Sequence, residues 1–311
     1  MTGARAVRPT DLVALVSFDG RVYPNEAKTR ERIGTTDAAP HPLERALEQW
    51  FSFATGCHTW ISIKGATLRG LISARRRGKG SAWELDCVIN AAEDDDSVCL
   101  GLLEQALREA TRSGVDRVFL RLAAESAVLP LARKIGFVEY QRENLFSTAA
   151  PRRMPHDGAV ALPVRKMLRS DEYALYQLYN ACVPEPVRCA EAMTFDEWKG
   201  AQDRNWLVGK VSQRVIEREG RVTACLRLAV EGETARFDLM ASAGEPGQEA
   251  LLDAALAKTA GNCFALTLVP KYAVDLTKCL RRRGFGRGPE YVALVNRTAV
   301  TVKVPQLVHA V

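Results

Sequence analysis

The stretch LLEQALREA at residues 102–110 returns as LLDAALAKT at residues 251–259. Further along, RKIGF at 133–137 is repeated as RRRGF at 281–285, so the distance from the LL stretch to the GF pair is nearly the same in both parts of the chain. A repeat with a period of about 150 residues has the size of a domain. The sequence therefore predicts two copies of one domain in tandem.

The predicted boundary lies in a segment rich in turn-forming residues. Residues 151–162 contain Pro151, Pro155 and Gly158 and show no apolar periodicity, which is typical of a linker. We therefore expect an N-terminal domain over residues 1–150 (half one) and a C-terminal domain over residues 163–311 (half two), joined by a linker over residues 151–162.

Both halves predict the same order of elements. A short strand precedes one or two helices, and then come three strands, a helix, a strand, a second helix and a closing strand. The early helices are expected over Pro42–Phe53 in half one and over Asp171–Ala181 and Thr194–Gln202 in half two. A helix that crosses between two late strands implies an α/β fold with a mixed central sheet and helices on both faces.

The closing strands are expected over Phe137–Phe146 and Pro289–Val304. The second of these is unusually apolar and β-branched towards its end, so it needs a partner strand. We expect it to pair either within half two or across to the sheet of half one. Pairing across would join the two halves into one body.

The composition is that of an ordinary globular protein. Of the 311 residues, 47% are hydrophobic and 26% are charged, which excludes disordered, collagen-like and coiled-coil chains. No apolar run has the length of a membrane span or of a signal peptide, so we expect a cytoplasmic protein without a membrane partner. A net charge of only +6 does not favour nucleic acid as a partner.

Metal and disulfide chemistry are not indicated. The four histidines are isolated from one another, and the eight cysteines form no CxxC pair. We expect no metal site, and we interpret the cysteines as small reduced core residues, with a catalytic thiol as the alternative.

The element order, the repeated LL helix and the GF that follows the last helix resemble the GNAT superfamily of N-acetyltransferases, once in each half. The resemblance implies an acyl-CoA-dependent acyltransferase, with acetyl-CoA as co-substrate between the fourth and fifth strands. It implies a small-molecule or peptide amine as acceptor, and it specifies neither the acceptor, the acyl group nor the oligomeric state.

The resemblance also implies cofactor-binding residues on the fourth strand and on the loop after it. A helix N-terminus in that loop is suited to a pyrophosphate, because its free N–H groups and its dipole favour an anion. In half two the implied residues are Leu239, Met240, Ala241, Gly244, Gly247 and Gln248. In half one the equivalent strand residues are Cys87, Val88 and Ile89.

Both pyrophosphate loops depart from the family motif. In half one, Asp94, Asp95 and Asp96 lie where the phosphates would be, and they either cap the helix or repel the ligand. In half two, Glu245 and Pro246 replace expected residues, but Gly244 and Gly247 remain. Half two is therefore the better candidate for binding acetyl-CoA, and half one is interpreted as degenerate.

The catalytic groups are also altered. The family tyrosine that protonates the leaving thiolate corresponds to Ala132 in half one and to Leu280 in half two, and neither can donate a proton. A general base is often a carboxylate on the fourth strand, which indicates Glu84 and Asp238 as catalytic candidates. The alternative is that both are solvent-facing strand charges.

Two further hypotheses stay open. The altered loops and the missing tyrosines also fit a non-catalytic pseudo-acetyltransferase that binds a ligand or partner as a scaffold. The basic cluster at residues 75–79, at a predicted hairpin tip, is either a solvated turn or a site for an acidic substrate, a phosphate or RNA.

Overall fold

The computed structural model describes residues 3–11, 14–15, 23–34, 57–65, 67–78, 82–92, 95–149, 164–201, 211–245, 247–258 and 264–298. The predicted helix over Pro42–Phe53, the linker and the chain beyond residue 298 lie outside these ranges. Within them, no helix combines the length and the apolar character needed to cross a bilayer.

The described part of half one follows the predicted order of strands and later helices. Short 3-10 turns, Pro9–Asp11 and Arg30–Arg32, precede the main sheet. The strands and helices are β1 (Arg5–Ala6), β2 (Cys57–Lys64), β3 (Thr67–Arg76), β4 (Ala82–Asn90), α1 (Asp96–Arg112), β5 (Arg117–Ala123), α2 (Val128–Lys134) and β6 (Val138–Thr148).

Half two repeats this order and has one helix that the sequence analysis did not predict, α4. The elements are β7 (Val164–Lys166), α3 (Glu172–Cys182), α4 (Glu185–Glu191), α5 (Phe195–Ala201), β8 (Val211–Arg218), β9 (Arg221–Glu231), β10 (Thr234–Ala241), α6 (Gly247–Lys258), β11 (Phe264–Pro270), α7 (Val274–Arg282) and β12 (Gly286–Arg297). Thr194 and Glu197 form a capping box at the start of α5, in which the side chain of each accepts a hydrogen bond from the other's backbone N–H.

The twelve strands given above form one mixed sheet in which the halves exchange their closing strands. The order is β1-β2-β3-β4-β5-β12-β6-β11-β10-β9-β8-β7. Strand β12 of half two pairs with β5 and β6 of half one, and β6 pairs with β11 of half two. The closing strand of half two therefore pairs across the halves. Among the strand pairs of the described residues, only β4–β5 and β10–β11 are parallel.

The repeated LL motif forms the core contact of each half. Leu102 and Leu103 of α1 are buried, and so are Leu251 and Leu252 of α6. Each pair packs into its own apolar cluster between helix and sheet. The sequence repeat thus marks the helix face whose burial stabilises each half.

The basic hairpin tip between β3 and β4 is packed against half two. Arg75 forms ion pairs with Glu31 and Glu84. The Arg77 guanidinium lies 4.1 Å from the centre of the Phe119 ring. A Cβ added at Gly78 would overlap the carbonyl oxygen of Gly200 in α5. The interpretation as a solvated turn is therefore wrong for Arg75 and Arg77, which are partly buried, while Arg76 is exposed.

A buried carboxylate lies at the junction of the halves. Glu143 on β6 is fully buried and accepts hydrogen bonds from Arg30 (2.6 Å), Arg121 (2.9 Å) and Gln141 (2.7 Å). Burial opposes ionisation of Glu143, but the guanidinium groups of Arg30 and Arg121 outweigh it and hold the pKa of this carboxyl below its usual range.

The packing of the hairpin tip predicts unequal costs for two glycine substitutions. Gly78 and Gly65 both have positive φ, 66° and 62°, but nothing lies within 4 Å of a Cβ at Gly65. Gly65→Ala should cost about 1–2 kcal/mol of unfolding free energy from the backbone alone. Gly78→Ala should cost about 1–3 kcal/mol more, because α5 must move. Equal costs in denaturant unfolding would show that the tip is not packed on α5.

The junction carboxylate predicts a second contrast. Glu143→Gln leaves two guanidinium groups without their buried anionic partner and should lower the free energy of unfolding by about 3–5 kcal/mol. Glu139 lies on the same strand and forms partly exposed ion pairs with Arg133 and Arg142. Glu139→Gln should lower the free energy of unfolding by less than about 1 kcal/mol.

The loss of unfolding free energy in Glu143→Gln should also depend on pH. A carboxylate with a lowered folded-state pKa stabilises the fold above its unfolded pKa of about 4.3, and this contribution is lost as the pH falls through the folded-state value. Chemical unfolding of the wild type and Glu143→Gln at pH 7 and near pH 3 measures both effects. A difference that does not shrink in acid would contradict this account.

Candidate active site

The halves differ where their fourth and fifth strands stop pairing. In half one, β4 and β5 pair in parallel only from Ala82 to Leu85, although both strands continue. In half two, β10 and β11 pair only from Thr234 to Arg236. A groove opens beyond the last pair in each half, and this is where the resemblance places the co-substrate.

The groove of half one is occupied by the chain itself. The backbone N–H of Glu26 donates to the Val88 carbonyl at 2.9 Å, and that of Lys28 donates to the Arg121 carbonyl at 2.8 Å. Ala27, which is buried, forms an antiparallel bridge with Leu122. Residues 25–28 therefore lie between β4 and β5 like an inserted strand.

This segment takes up the backbone groups that were predicted to contact the cofactor in half one. The Asn25 side chain accepts from the Val88 N–H at 2.8 Å and donates to the Asp86 carbonyl at 3.0 Å. Cys87, Val88 and Ile89 are all buried. The amide contacts that an acyl-CoA would need from Val88 are thus already made within the chain.

The groove of half two opens into a cavity of about 680 Å³. One part follows the diverging strands and is lined by Leu239, Met240, Ala241, Gln248, Pro270 and Tyr272. A second part lies under α3 and α5 and is lined by Leu175, Tyr179, Cys182, Trp198 and Lys199. Four of the six cofactor-binding residues predicted in half two therefore line one cavity.

The other two predicted residues, Gly244 and Gly247, belong to the loop that opens α6. Gly244 has a φ of +71°, and a Cβ at Gly247 would meet the Ile216 side chain at 2.7 Å. The Glu245 carboxylate accepts the Gly247 N–H at 3.2 Å and pairs with Arg218 at 3.2 Å. The N-terminus of α6 thus already holds an internal anion.

The matching helix start in half one is capped in the same manner. The Asp95 side chain accepts the Ser97 N–H at 3.1 Å and pairs with Arg69 at 3.2 Å. The Ser97 hydroxyl and the guanidinium of Arg69 help to hold the pKa of Asp95 below its usual range. Asp96 opens the helix, and Asp94 lies outside the described residues.

The candidate base Glu84 is part of a buried ion-pair cluster in half one. Its carboxylate lies 2.8 Å from Arg75. Burial opposes ionisation, but Arg75, Arg77 and Arg121 outweigh it and lower the pKa of Glu84. A carboxylate stabilised in this way is a weak base.

The candidate base Asp238 lies on the wall of the half-two cavity. One of its oxygens is 3.8 Å from the Arg30 guanidinium, and its side chain is 24% exposed. Trp83 pairs with Val118 in half one, and Ala235 pairs with Ala265 in half two. Trp83 and Ala235 are each the second residue of the parallel pairing in their half, and Asp86 and Asp238 each lie three residues further along. Asp238 therefore corresponds to Asp86 and not to Glu84.

The cavity also contains groups that stay protonated. Burial is the main cause that raises the pKa of Cys182 to about 11 and that of Cys225 to about 12. Burial and the nearby Glu191 and Glu143 raise the pKa of Tyr272. The thiols are therefore not poised as nucleophiles, whereas Tyr272 offers a neutral hydroxyl to the cavity.

Sequence reasoning missed the residues that half one contributes to this cavity. Arg30, Arg77 and Gln141 all line it, although all three belong to half one. In the sequence Arg77 is one member of a basic run, and nothing distinguishes Arg30 from other arginines. Exchange of the closing strands brings these side chains to the site.

No protein-family model and no curated protein sequence matches the chain. Solved structures do match. A GCN5-related N-acetyltransferase from Sphaerobacter thermophilus has a TM-score of 0.55 at 12% identity, covering 96% of this chain and 97% of that one. A tandem GNAT protein from the clavulanic acid biosynthesis pathway has a TM-score of 0.51 at 12% identity, covering 94% of each chain.

A third match is a GCN5-related N-acetyltransferase from Anabaena variabilis, with a TM-score of 0.51 at 11% identity, covering 94% of this chain and 71% of that one. At such identities the matches establish the fold alone. The chain has the fold of the GCN5-related N-acetyltransferases, present once in each half.

Proposed function

We propose that the protein is an acyl-CoA-dependent N-acyltransferase with one working site, the cavity of half two. The observation that carries this proposal is the contrast between the grooves. Residues 25–28 fill the groove of half one, whereas a cavity of about 680 Å³ lies at the same place in half two. A volume of this size is typical of small-molecule sites.

Each group in the cavity has a chemical task in this proposal. The backbone of Leu239–Ala241 holds the acyl thioester in the groove, and an N–H of this strand holds the carbonyl oxygen as negative charge develops on it. Asp238 accepts a proton from the acceptor ammonium, which frees the amine lone pair to attack the thioester carbon. The C–N bond forms as the C–S bond of the thioester breaks, and the leaving CoA thiolate takes the excess proton from that nitrogen and departs as the thiol.

A non-catalytic ligand-binding protein is the second candidate, and two observations favour it. The Glu245 carboxylate occupies the N–H of Gly247, where a pyrophosphate would bind. Leu280 is fully buried and replaces the tyrosine of the family. Acid catalysis contributes only about 10²–10⁴-fold, so a missing tyrosine slows transfer without abolishing it.

Calorimetric titration with acetyl-CoA tests whether half two holds the site. We expect one site per chain. Glu245→Gln should tighten binding about fivefold, because like charges a few ångströms apart in water repel by about 1 kcal/mol. Asp95→Asn, the matched change at the helix start of half one, should leave the affinity unchanged.

A tighter complex in Asp95→Asn, or two sites per chain, would contradict the assignment to half two. No binding at millimolar acetyl-CoA in any of the three proteins would overturn the acyl-CoA proposal. Thermal melts of both variants control for loss of fold.

The role of Asp238 predicts a second result, measured as CoA thiol release with a panel of amines. Asp238→Asn should lower turnover more than about tenfold, because the ammonium loses its proton acceptor. Asp275→Asn removes a carboxylate that lines the same cavity but pairs with Lys278 on α7, and it should have little effect. Equal turnover in wild type and Asp238→Asn would remove Asp238 from the mechanism.

A further inference from the structure

One end of the cavity is built from both halves and is rich in opposite charges. Arg30 and Arg77 come from half one, and Asp238 and Glu191 come from half two. The Arg30–Asp238 pair is 3.8 Å apart and the Arg77–Glu191 pair is 3.7 Å apart. Both separations exceed hydrogen-bond length, whereas other pairs at the junction lie at 2.6–2.9 Å.

The two guanidinium groups are held in place from outside the cavity. Glu143 bonds Arg30 at 2.6 Å on the side away from Asp238, and Gln141 and Arg121 fix Glu143 in turn. Arg77 lies over the Phe119 ring, next to the hairpin tip that packs on α5. Such support positions both side chains before any ligand arrives.

Most of the remaining lining of this end is apolar, although the Lys199–Glu172 ion pair also lines the cavity. Aromatic and aliphatic side chains of α3, of the segment after it and of α5 line it, namely Leu175, Tyr179, Val183 and Trp198. Beside the two guanidinium groups a ligand therefore meets two carboxylates and a hydrophobic wall. The charges also balance over the whole cavity lining, where four cations face four anions, namely Arg30, Arg77, Lys199 and Arg227 against Glu172, Glu191, Asp238 and Asp275. This balance disfavours both a polyamine and a polyanion.

We propose that the acyl acceptor is a small zwitterion, an amino acid with an apolar side chain. This inference rests on the proposed function for its chemistry. The ammonium lies at Asp238, on the strand that holds the thioester, and the carboxylate binds the guanidinium groups of half one. Planar guanidinium groups bind carboxylates through two parallel hydrogen bonds. Half one is then required because it supplies the carboxylate site.

Binding of matched ligands without acetyl-CoA tests this subsite. L-phenylalanine and L-leucine are compared with 2-phenylethylamine and 3-methylbutylamine, which lack only the carboxylate. Ligand-observed NMR at neutral pH should detect the two acids, and the two amines should bind at least tenfold more weakly. Arg77→Gln should weaken binding of the acids at least tenfold and leave the weak binding of the amines unchanged.

Arg76→Gln is the matched control, because Arg76 is the exposed neighbour on the same hairpin. Arg77→Lys keeps the charge and should recover part of the affinity, even if Arg77→Gln proves unstable in thermal melts. Amines that bind as well as the acids, acids that do not bind at millimolar concentration, or equal binding by Arg77→Lys and Arg77→Gln would each overturn the proposal.

The two proposals fail separately. If acetyl-CoA binds and the amino acids do not, the zwitterion subsite is wrong and the acyltransferase proposal stands. If the amino acids bind in an Arg77-dependent manner and acetyl-CoA does not, the subsite stands and the acyltransferase proposal is wrong.

Discussion

The exchange of β6 and β12 between the halves is the constraint on which the rest of the structure depends. Each closing strand pairs with the fifth strand of the other half, so neither sheet is complete alone. The exchange places Glu143 of β6 in the middle of the sheet, where it is buried and needs two guanidinium partners. One of those partners, Arg30, reaches the half-two cavity. Arg30 therefore both pairs with the buried carboxylate at the junction and lines the cavity.

The two halves share a fold but use the same groove differently. Strands that diverge leave backbone N–H and C=O groups without sheet partners, and buried groups of this kind must be satisfied. Half one satisfies them with its own residues 25–28, which fill the groove. Half two leaves room for a ligand.

Much of the fold could be predicted from the sequence, because its signals are local. The repeated LL motif marks the buried helix faces, and the order of strands and helices follows from runs of residues close together in the sequence. The closing strand beyond Pro289 was left with two possible partners, since periodicity shows that a strand needs pairing but not with what. The short helix Glu185–Glu191 was missed, because its seven residues carry little periodicity and its start has no capping box of the kind that marks α5.

The candidate site was predictable only in part. Leu239, Met240 and Ala241 followed from the family resemblance, and the structure places them on one cavity wall. The filling of the half-one groove by residues 25–28 was not predictable, since a segment with no periodic pattern gives no sign of where it will pack. Arg30 and Arg77 reach the cavity through contacts distant in the sequence, and a single sequence does not contain that information.

Hydrogen–deuterium exchange with and without acetyl-CoA tests most directly the claim that one groove is open and its copy is closed. The account predicts that acetyl-CoA slows exchange in peptides covering residues 238–248 and leaves residues 25–28 and 86–89 unchanged. Slowed exchange at 86–89 together with faster exchange at 25–28 would mean that the ligand displaces the inserted segment. That result would place the working site in half one and contradict the account.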